Sequence, residues 1–164
     1  MHKDLKYQIG ITLIDGVGDI TAKKLIAYCG GVEAVFSEKK SALLKIPDIG
    51  STAANAVLSQ RVLAQAEKEI EFIHNRDINP LFYLDDGYPE RLRYCDDAPV
   101  MLYCAGNMDL NRKRMVSIVG TRSATTHGKK FCEDLVEQLA HNDVSIISGL
   151  AYGIDITAHK AALR

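Results

Sequence analysis

The stretch Met115-Val116-Ser117-Ile118-Val119-Gly120-Thr121-Arg122-Ser123 decides the fold of the C-terminal third of the chain. Its first five residues form a continuous apolar run, which is typical of a buried strand in a parallel sheet. Further along, Val144-Ser145-Ile146-Ile147 is a second run of this kind, and Ser148-Gly149 follows it. Both strands therefore end in a turn that contains glycine and serine.

A helix is predicted after each of these strands. Phe131, Leu135 and Leu139, backed by Cys132 and Val136, form one apolar helix face after the first strand, and a second helix closes the chain. The order strand, helix, strand, helix predicts an α/β fold that opens with a βαβα unit of parallel strands. Because two strands do not make a covered sheet and the last helix has no cap, we expect the fold to be incomplete at its C-terminal side.

The turn after the first strand is the best candidate for an anion site. In open α/β sheets, ligands bind at the carboxyl edge, where loops and helix N-termini expose backbone N–H groups. Gly120 allows a close approach, Thr121 and Ser123 offer hydroxyl groups, and Arg122 and Lys129 supply positive charge. Alternatively, the hydroxyl groups only cap the following helix and the arginine is solvated.

The second turn extends this candidate site, because parallel neighbours bring Ser148 and Gly149 beside the first turn. Neither turn carries the GxGxxG or GxxxxGK[ST] pattern, so no nucleotide cofactor is expected. Asp155 and His159 lie four residues apart on one helix, where a dipole-favoured carboxylate and a modest side-chain contact explain them better than catalysis. We expect no catalytic residues.

The N-terminal segment, residues 1–75, is predicted to form short helices. Leu58, Val62, Ala66, Ile70 and Ile73 form one apolar stripe and predict a single long helix. Residues 76–110 contain short strands among many turn residues and are predicted to connect the helices to the C-terminal part, residues 111–164.

Two glycine turns in the helical segment look like a degenerate repeat of a helix–hairpin–helix unit. The first is Gly16-Val17-Gly18, and the second is Pro47-Asp48-Ile49-Gly50. Gly16, Val17 and Gly18 could offer backbone N–H groups to a DNA phosphate, with Lys23 assisting. An alternative that fits the sequence at least equally well is that the turn only joins two packed helices.

Charge is divided unevenly along the 164 residues. Residues 1–110 hold 12 basic and 16 acidic side chains, whereas residues 111–164 hold 8 basic and 5 acidic ones. An anion is therefore expected in the C-terminal third. There is no apolar run long enough to span a membrane, and the scattered cysteines and histidines predict reduced thiols and no metal site.

The motifs SIVGTRSATTHGKKFCEDLVEQLA and SIISGLAYGIDITAHKAAL resemble the DprA (Smf) DNA-processing family. The stretch LFYLDDGYPERLRYCDDAPVMLYCAGNMDL resembles the family's link into its nucleotide-binding-like domain, and the glycine turns resemble its helical, SAM-like N-terminal domain. The resemblance implies an extended Rossmann-like parallel sheet, of which residues 111–164 would be the first part.

The resemblance also implies a function. It indicates a cytoplasmic bacterial protein of natural transformation that binds and protects single-stranded DNA, helps load RecA and works as a dimer. Gly120, Thr121 and Arg122 would hold phosphates, with Ser148 and Gly149 on the neighbouring loop. The family's dimer surface and RecA-contacting region would lie beyond residue 164.

Two other classes of function stay open. A Rossmann-like nucleotide phosphoribohydrolase could hold one phosphate in the Gly120 loop, although no second glycine-rich phosphate motif with a catalytic glutamate is present up to Arg164. Residues 1–75 could instead be a protein-interaction module without a DNA role, which their acidic balance favours.

Overall fold

The computed structural model describes residues 4–107 and 109–164. The chain divides into two compact units, Met1–Asn111 and Arg112–Arg164. The described part contains helices and two small sheets, an α/β composition as expected. The first unit holds α1 (Leu5–Thr12), α2 (Asp19–Cys29), α3 (Val32–Ser37), α4 (Lys40–Leu43), α5 (Ser51–Ser59), α6 (Arg61–Asn75), β1 (Ile78–Phe82), α7 (Glu90–Arg93) and β2 (Met101–Ala105). The second unit holds β3 (Met115–Ser117), α8 (Thr126–Ala140), β4 (Ser145–Ile147) and α9 (Ile154–Ala162).

The two glycine turns of the helical segment have matching backbone geometry at a spacing of 32 residues. Gly16 has φ of 75°, and Asp48, its counterpart in the second turn, has φ of 67°. Gly18 and Gly50 then precede α2 and α5 with nearly the same extended dihedral angles. The same spacing relates pairs of buried side chains: Ile11 and Leu43, Ile14 and Ile46, Val17 and Ile49, Ala22 and Ala54, and Leu25 and Val57. The segment is therefore a structural repeat.

The long helix predicted from the apolar stripe is two helices. α5 ends at Ser59, α6 begins at Arg61, and Gln60 between them has a left-handed φ of 51°. The Gln60 side chain donates a hydrogen bond of 2.8 Å to the carbonyl oxygen of Phe36, which ties the break to α3. Periodicity missed the break because the stripe continues in register across a single residue.

Residues 76–110 are more than a connector, because they complete the core of the first unit. β1 and β2 pair antiparallel, and Phe82, Val100 and Met101 are buried in the same apolar cluster as the helices. Tyr88 is fully buried and donates a hydrogen bond of 2.5 Å to the carbonyl oxygen of Pro99. The many turn residues suggested a linker. The pairing of β1 with β2 could not be predicted from local sequence, because the two strands are separated by 18 residues.

The second unit has the predicted element order. β3 and β4 pair in parallel, with Met115 opposite Ser145. The apolar face of α8 is rotated from the predicted one, since Cys132 and Val136 are buried and Phe131 is 65% exposed. Ala158 of α9 completes this small core, and burial raises the pKa of the Cys132 thiol. The rotation follows from α9, which packs along one side of α8.

None of the helices that the described residues form is long and apolar enough to cross a membrane.

Candidate nucleic-acid interface

The predicted site lies where β3 and β4 end side by side. The ladder continues one step past the strands, with a hydrogen bond of 2.9 Å from the Ile118 N–H to the Ile147 carbonyl oxygen. The Ser148 hydroxyl donates a bond of 2.6 Å to the Ile118 carbonyl oxygen. The Ser148 hydroxyl therefore joins the two strand ends, and its contact with a ligand stays a prediction.

Gly120 and Gly149 are explained by the approach of α9. A Cβ on Gly120 would lie 2.6 Å from Cγ1 of Ile154, and a Cβ on Gly149 would lie 2.7 Å from Oδ2 of Asp155. A side chain at Gly120 would have to displace the Cβ of Ile154, whereas one at Gly149 would have to displace only the end of the Asp155 side chain. The first turn of α9 is therefore the close neighbour of both glycines, and the approach of a ligand to Gly120, with Gly149 beside it, stays a prediction.

Gly153 is the residue of this region that sequence reasoning missed. Its φ is 86°, and a Cβ there would collide with the carbonyl oxygen of Thr121 and lie 2.6 Å from that of Arg122. The next N–H, of Ile154, donates a hydrogen bond of 3.2 Å to the Thr121 carbonyl oxygen. The glycine is visible in the sequence, but nothing local shows that its Cα packs on another loop.

These contacts brace the loop that carries Arg122. Thr121 Oγ1 accepts a bond of 3.2 Å from the Ser123 N–H, and Thr125 Oγ1 accepts one of 3.1 Å from the Gly128 N–H as the N-cap of α8. The capping interpretation therefore holds for Thr125. Arg122 itself is exposed.

Positive charge is present on both sides of β3. Arg122, Lys129 and Lys130 follow the strand, and residues 112–114, all basic, precede it. Lys130 forms an ion pair of 2.7 Å with Asp134, one turn further along α8. Arg122 and Lys129 are exposed side chains close to the N-terminus of α8 and are suited to a phosphate.

Asp155 and His159 do not form the acid–base pair that their spacing allows. The ring Nε2 of His159 lies 2.9 Å from the Gly149 carbonyl oxygen. Asp155 is buried, and its Oδ1 has no hydrogen-bond partner within the part of the chain that the structure describes. Its place in the first turn of α9 is the one where the helix dipole favours a carboxylate.

The glycine turn of the first unit buries its central residue and leaves Gly16 and Gly18 exposed. Val17 is buried, and Oδ1 of Asp19 accepts a hydrogen bond of 2.8 Å from the Val100 N–H. The Lys23 ammonium donates a bond of 3.0 Å to the Asp96 carbonyl oxygen and lies 5.9 Å from the centre of the Tyr83 ring. These contacts give Val17 a packing role and place the Asp19 carboxylate at the start of α2, whereas phosphate contact by Gly16 and Gly18 stays a prediction.

The cysteines and histidines do not gather into a metal site within the described residues. Cys29, Cys95, Cys104 and Cys132 all carry free thiols.

A model of one protein family, described as DNA recombination-mediator protein A, matches residues 79–164. This span covers β1 to α9, both of the strand ends described above and more than half of the chain. The chain belongs to this family.

Curated proteins named DprA resemble the chain over much of its length. The DNA processing protein DprA of Streptococcus pneumoniae is 38% identical over 123 residues, and a putative DprA of Mycobacterium tuberculosis is 31% identical over 152 residues. These matches cover 73% and 85% of the chain, but only 42% and 38% of the relatives. The chain therefore spans about two fifths of the curated relatives that it matches.

A solved structure shows the same fold. The X-ray structure of DprA from Streptococcus pneumoniae superposes with a TM-score of 0.71 at 29% identity, and the match covers 96% of this chain and 53% of that one. The family membership therefore rests on sequence and on fold together.

Proposed function

We propose that this member of the DNA recombination-mediator family binds single-stranded DNA. The loop Gly120–Ser123 would contact the phosphates of the DNA backbone. The observation that carries the proposal is that Arg122 is exposed on a loop whose backbone is in contact with the start of α9. The contacts of Gly153 and Ile154 with the Thr121 and Arg122 carbonyl groups hold the loop in one conformation. A loop whose backbone is already held loses less conformational entropy when its arginine binds a phosphate.

The balance of charge supports a local site rather than a broad basic surface. The chain has a net charge of −1, so the attraction to a strand must come from particular side chains. Arg122 and Lys129 supply it at the carboxyl edge, with Ser123 as a hydroxyl donor. Contacts to phosphate carry no sequence information, which suits a protein that must accept any strand.

The proposal extends to the biological role of the protein. We infer that it protects incoming strands during natural transformation, helps load RecA and carries out no covalent chemistry, and that the full-length protein works as a dimer through residues beyond 164. Membership of a recombination-mediator family supports the link to RecA. The inference about RecA fails if the protein does not increase RecA-dependent ATP hydrolysis on strands already covered by a single-strand-binding protein.

The proposal also includes the fold of each unit. The repeated turns at Gly16 and Asp48 support a helix–hairpin–helix arrangement of the helical segment. The parallel β3–β4 pair with its two following helices supports a Rossmann-like sheet.

The direct test is the substitution Arg122→Ala. Charge-assisted hydrogen bonds to a phosphate are worth about 1.5–3 kcal/mol, so affinity for oligo-dT and oligo-dA should fall by about tenfold or more, and equally for both. The control is Arg61→Ala, which removes the same charge from an exposed position at the start of α6. Equal affinity of the Arg122→Ala variant and the unmodified protein would remove the loop from the binding site.

A further inference from the structure

Three large apolar side chains near the Gly120 loop are exposed to solvent. Leu150 is 95% exposed, Val119 is 87% exposed and Tyr152 is 83% exposed. All three lie within five residues of the C-terminal end of β3 or β4, in the loops that follow these strands. They contribute almost nothing to the core that the described residues of the second unit form.

The backbone that carries these side chains is held on both sides. The Gly149 carbonyl oxygen meets His159 Nε2 at 2.9 Å, and the Ala151 carbonyl oxygen accepts a bond of 3.2 Å from the Ile156 N–H. Both partners belong to α9. Leu150 and Tyr152 are therefore exposed because a fixed loop presents them to solvent.

Tyr152 is also close to the proposed phosphate contact. It precedes Gly153, whose Cα packs on the carbonyl groups of Thr121 and Arg122. Consecutive Cα atoms are about 3.8 Å apart, so the tyrosine and the arginine arise from touching segments of backbone. Proteins that bind single strands combine exposed aromatic rings, on which bases stack, with cations that hold the phosphates, and these two touching segments carry one side chain of each kind.

We propose that Tyr152, flanked by Leu150 and Val119, is a stacking platform for nucleobases of the strand whose phosphates Arg122 holds. This inference rests on the proposed function and adds a second contact to it. A single strand suits this surface because its bases are unpaired and free to stack, whereas a duplex keeps its bases inside. Stacking needs only a flat ring, so the platform accepts every base.

The test compares two oligonucleotides of equal length and charge, oligo-dT and a tract of abasic tetrahydrofuran sites. Stacking on aromatic side chains is worth about 1–3 kcal/mol per base, so the protein should prefer oligo-dT by about tenfold. The Tyr152→Ala variant should lose this preference and keep its affinity for the abasic tract. The Tyr152→Phe variant should behave like the unmodified protein, because the ring is retained.

Tyr94 offers a matched control, since it is 88% exposed in the first unit. The Tyr94→Ala variant should keep the preference for oligo-dT. Because both tyrosines are exposed, neither substitution should change the temperature of unfolding.

The possible outcomes separate this inference from the function on which it rests. If Tyr152→Ala keeps the preference for oligo-dT, or if the unmodified protein binds both oligonucleotides equally, the platform is wrong and the phosphate site stands. If Tyr152→Ala changes the mass of the protein in solution and leaves base preference alone, the surface joins two copies and the platform is again wrong. A protein that binds neither oligonucleotide overturns both proposals.

Discussion

At the scale of the residue, three glycines determine the geometry of the strand ends. Gly120, Gly149 and Gly153 each sit where a Cβ would meet another group at 2.7 Å or less. For Gly153 the obstacle is backbone, which a rotamer change does not relieve. The φ of 86° adds to this, because side chains disfavour that region.

We expect Gly153→Ala to be the most damaging single substitution among these. It should lower the free energy of unfolding by about 3 kcal/mol or more, because overpacking and backbone strain act together. Gly30→Ala is the control, since Gly30 has φ of 81° with no heavy atom within 4 Å of an added Cβ. That variant should lose only about 1–2 kcal/mol. Thermal unfolding measures both, and equal losses would show that the contact with the Gly120 loop is unimportant.

At the scale of the element, the two repeated turns adopt the same left-handed backbone conformation with different residues. Gly16 and Asp48 both have positive φ, and aspartate is among the few other residues that tolerate it. Asp48 also pairs with Lys24 of α2, and this ion pair holds the pKa of the carboxyl group below its usual range. The pair therefore contributes at neutral pH and is lost as the pH falls through that lowered pKa.

The repeat predicts which substitutions the first turn accepts. Gly16→Asn should stay within about 0.5 kcal/mol of the unmodified protein in urea unfolding, because asparagine tolerates left-handed backbone. Gly16→Ala should lose about 1–2 kcal/mol, since alanine does not. An added Cβ at Gly16 meets nothing within 4 Å, so the difference reports on backbone conformation alone. If both variants lose the same stability, the two turns are not equivalent.

The same elements show what could be predicted from the sequence. The order β3, α8, β4, α9 and the placing of both glycine turns at the strand ends followed from local apolar runs. The break at Gln60 and the rotated face of α8 did not, because both depend on neighbouring helices. The β1–β2 pair and the bracing role of Gly153 were also missed, since they join segments that are distant in sequence.

At the scale of the whole molecule, charge and fold are divided between the two units. The first unit combines the repeated helices with the β1–β2 pair and holds most of the acidic side chains. The second unit carries the strand ends, Arg122 and Lys129. A net charge of −1 makes non-specific attraction to DNA weak. Binding should therefore depend on a few phosphate contacts, and each contact should make the affinity more sensitive to salt concentration.

The salt dependence of oligo-dT binding, measured for the unmodified protein and for Arg122→Ala, tests this account most directly. Each phosphate contact to a single strand contributes about −0.7 to the slope of log K against log salt concentration. We predict that affinity falls between about 50 and 200 mM salt, and that Arg122→Ala makes the slope shallower by about 0.7. An affinity that does not change with salt, or a slope that is the same in both proteins, would contradict a phosphate contact at Arg122.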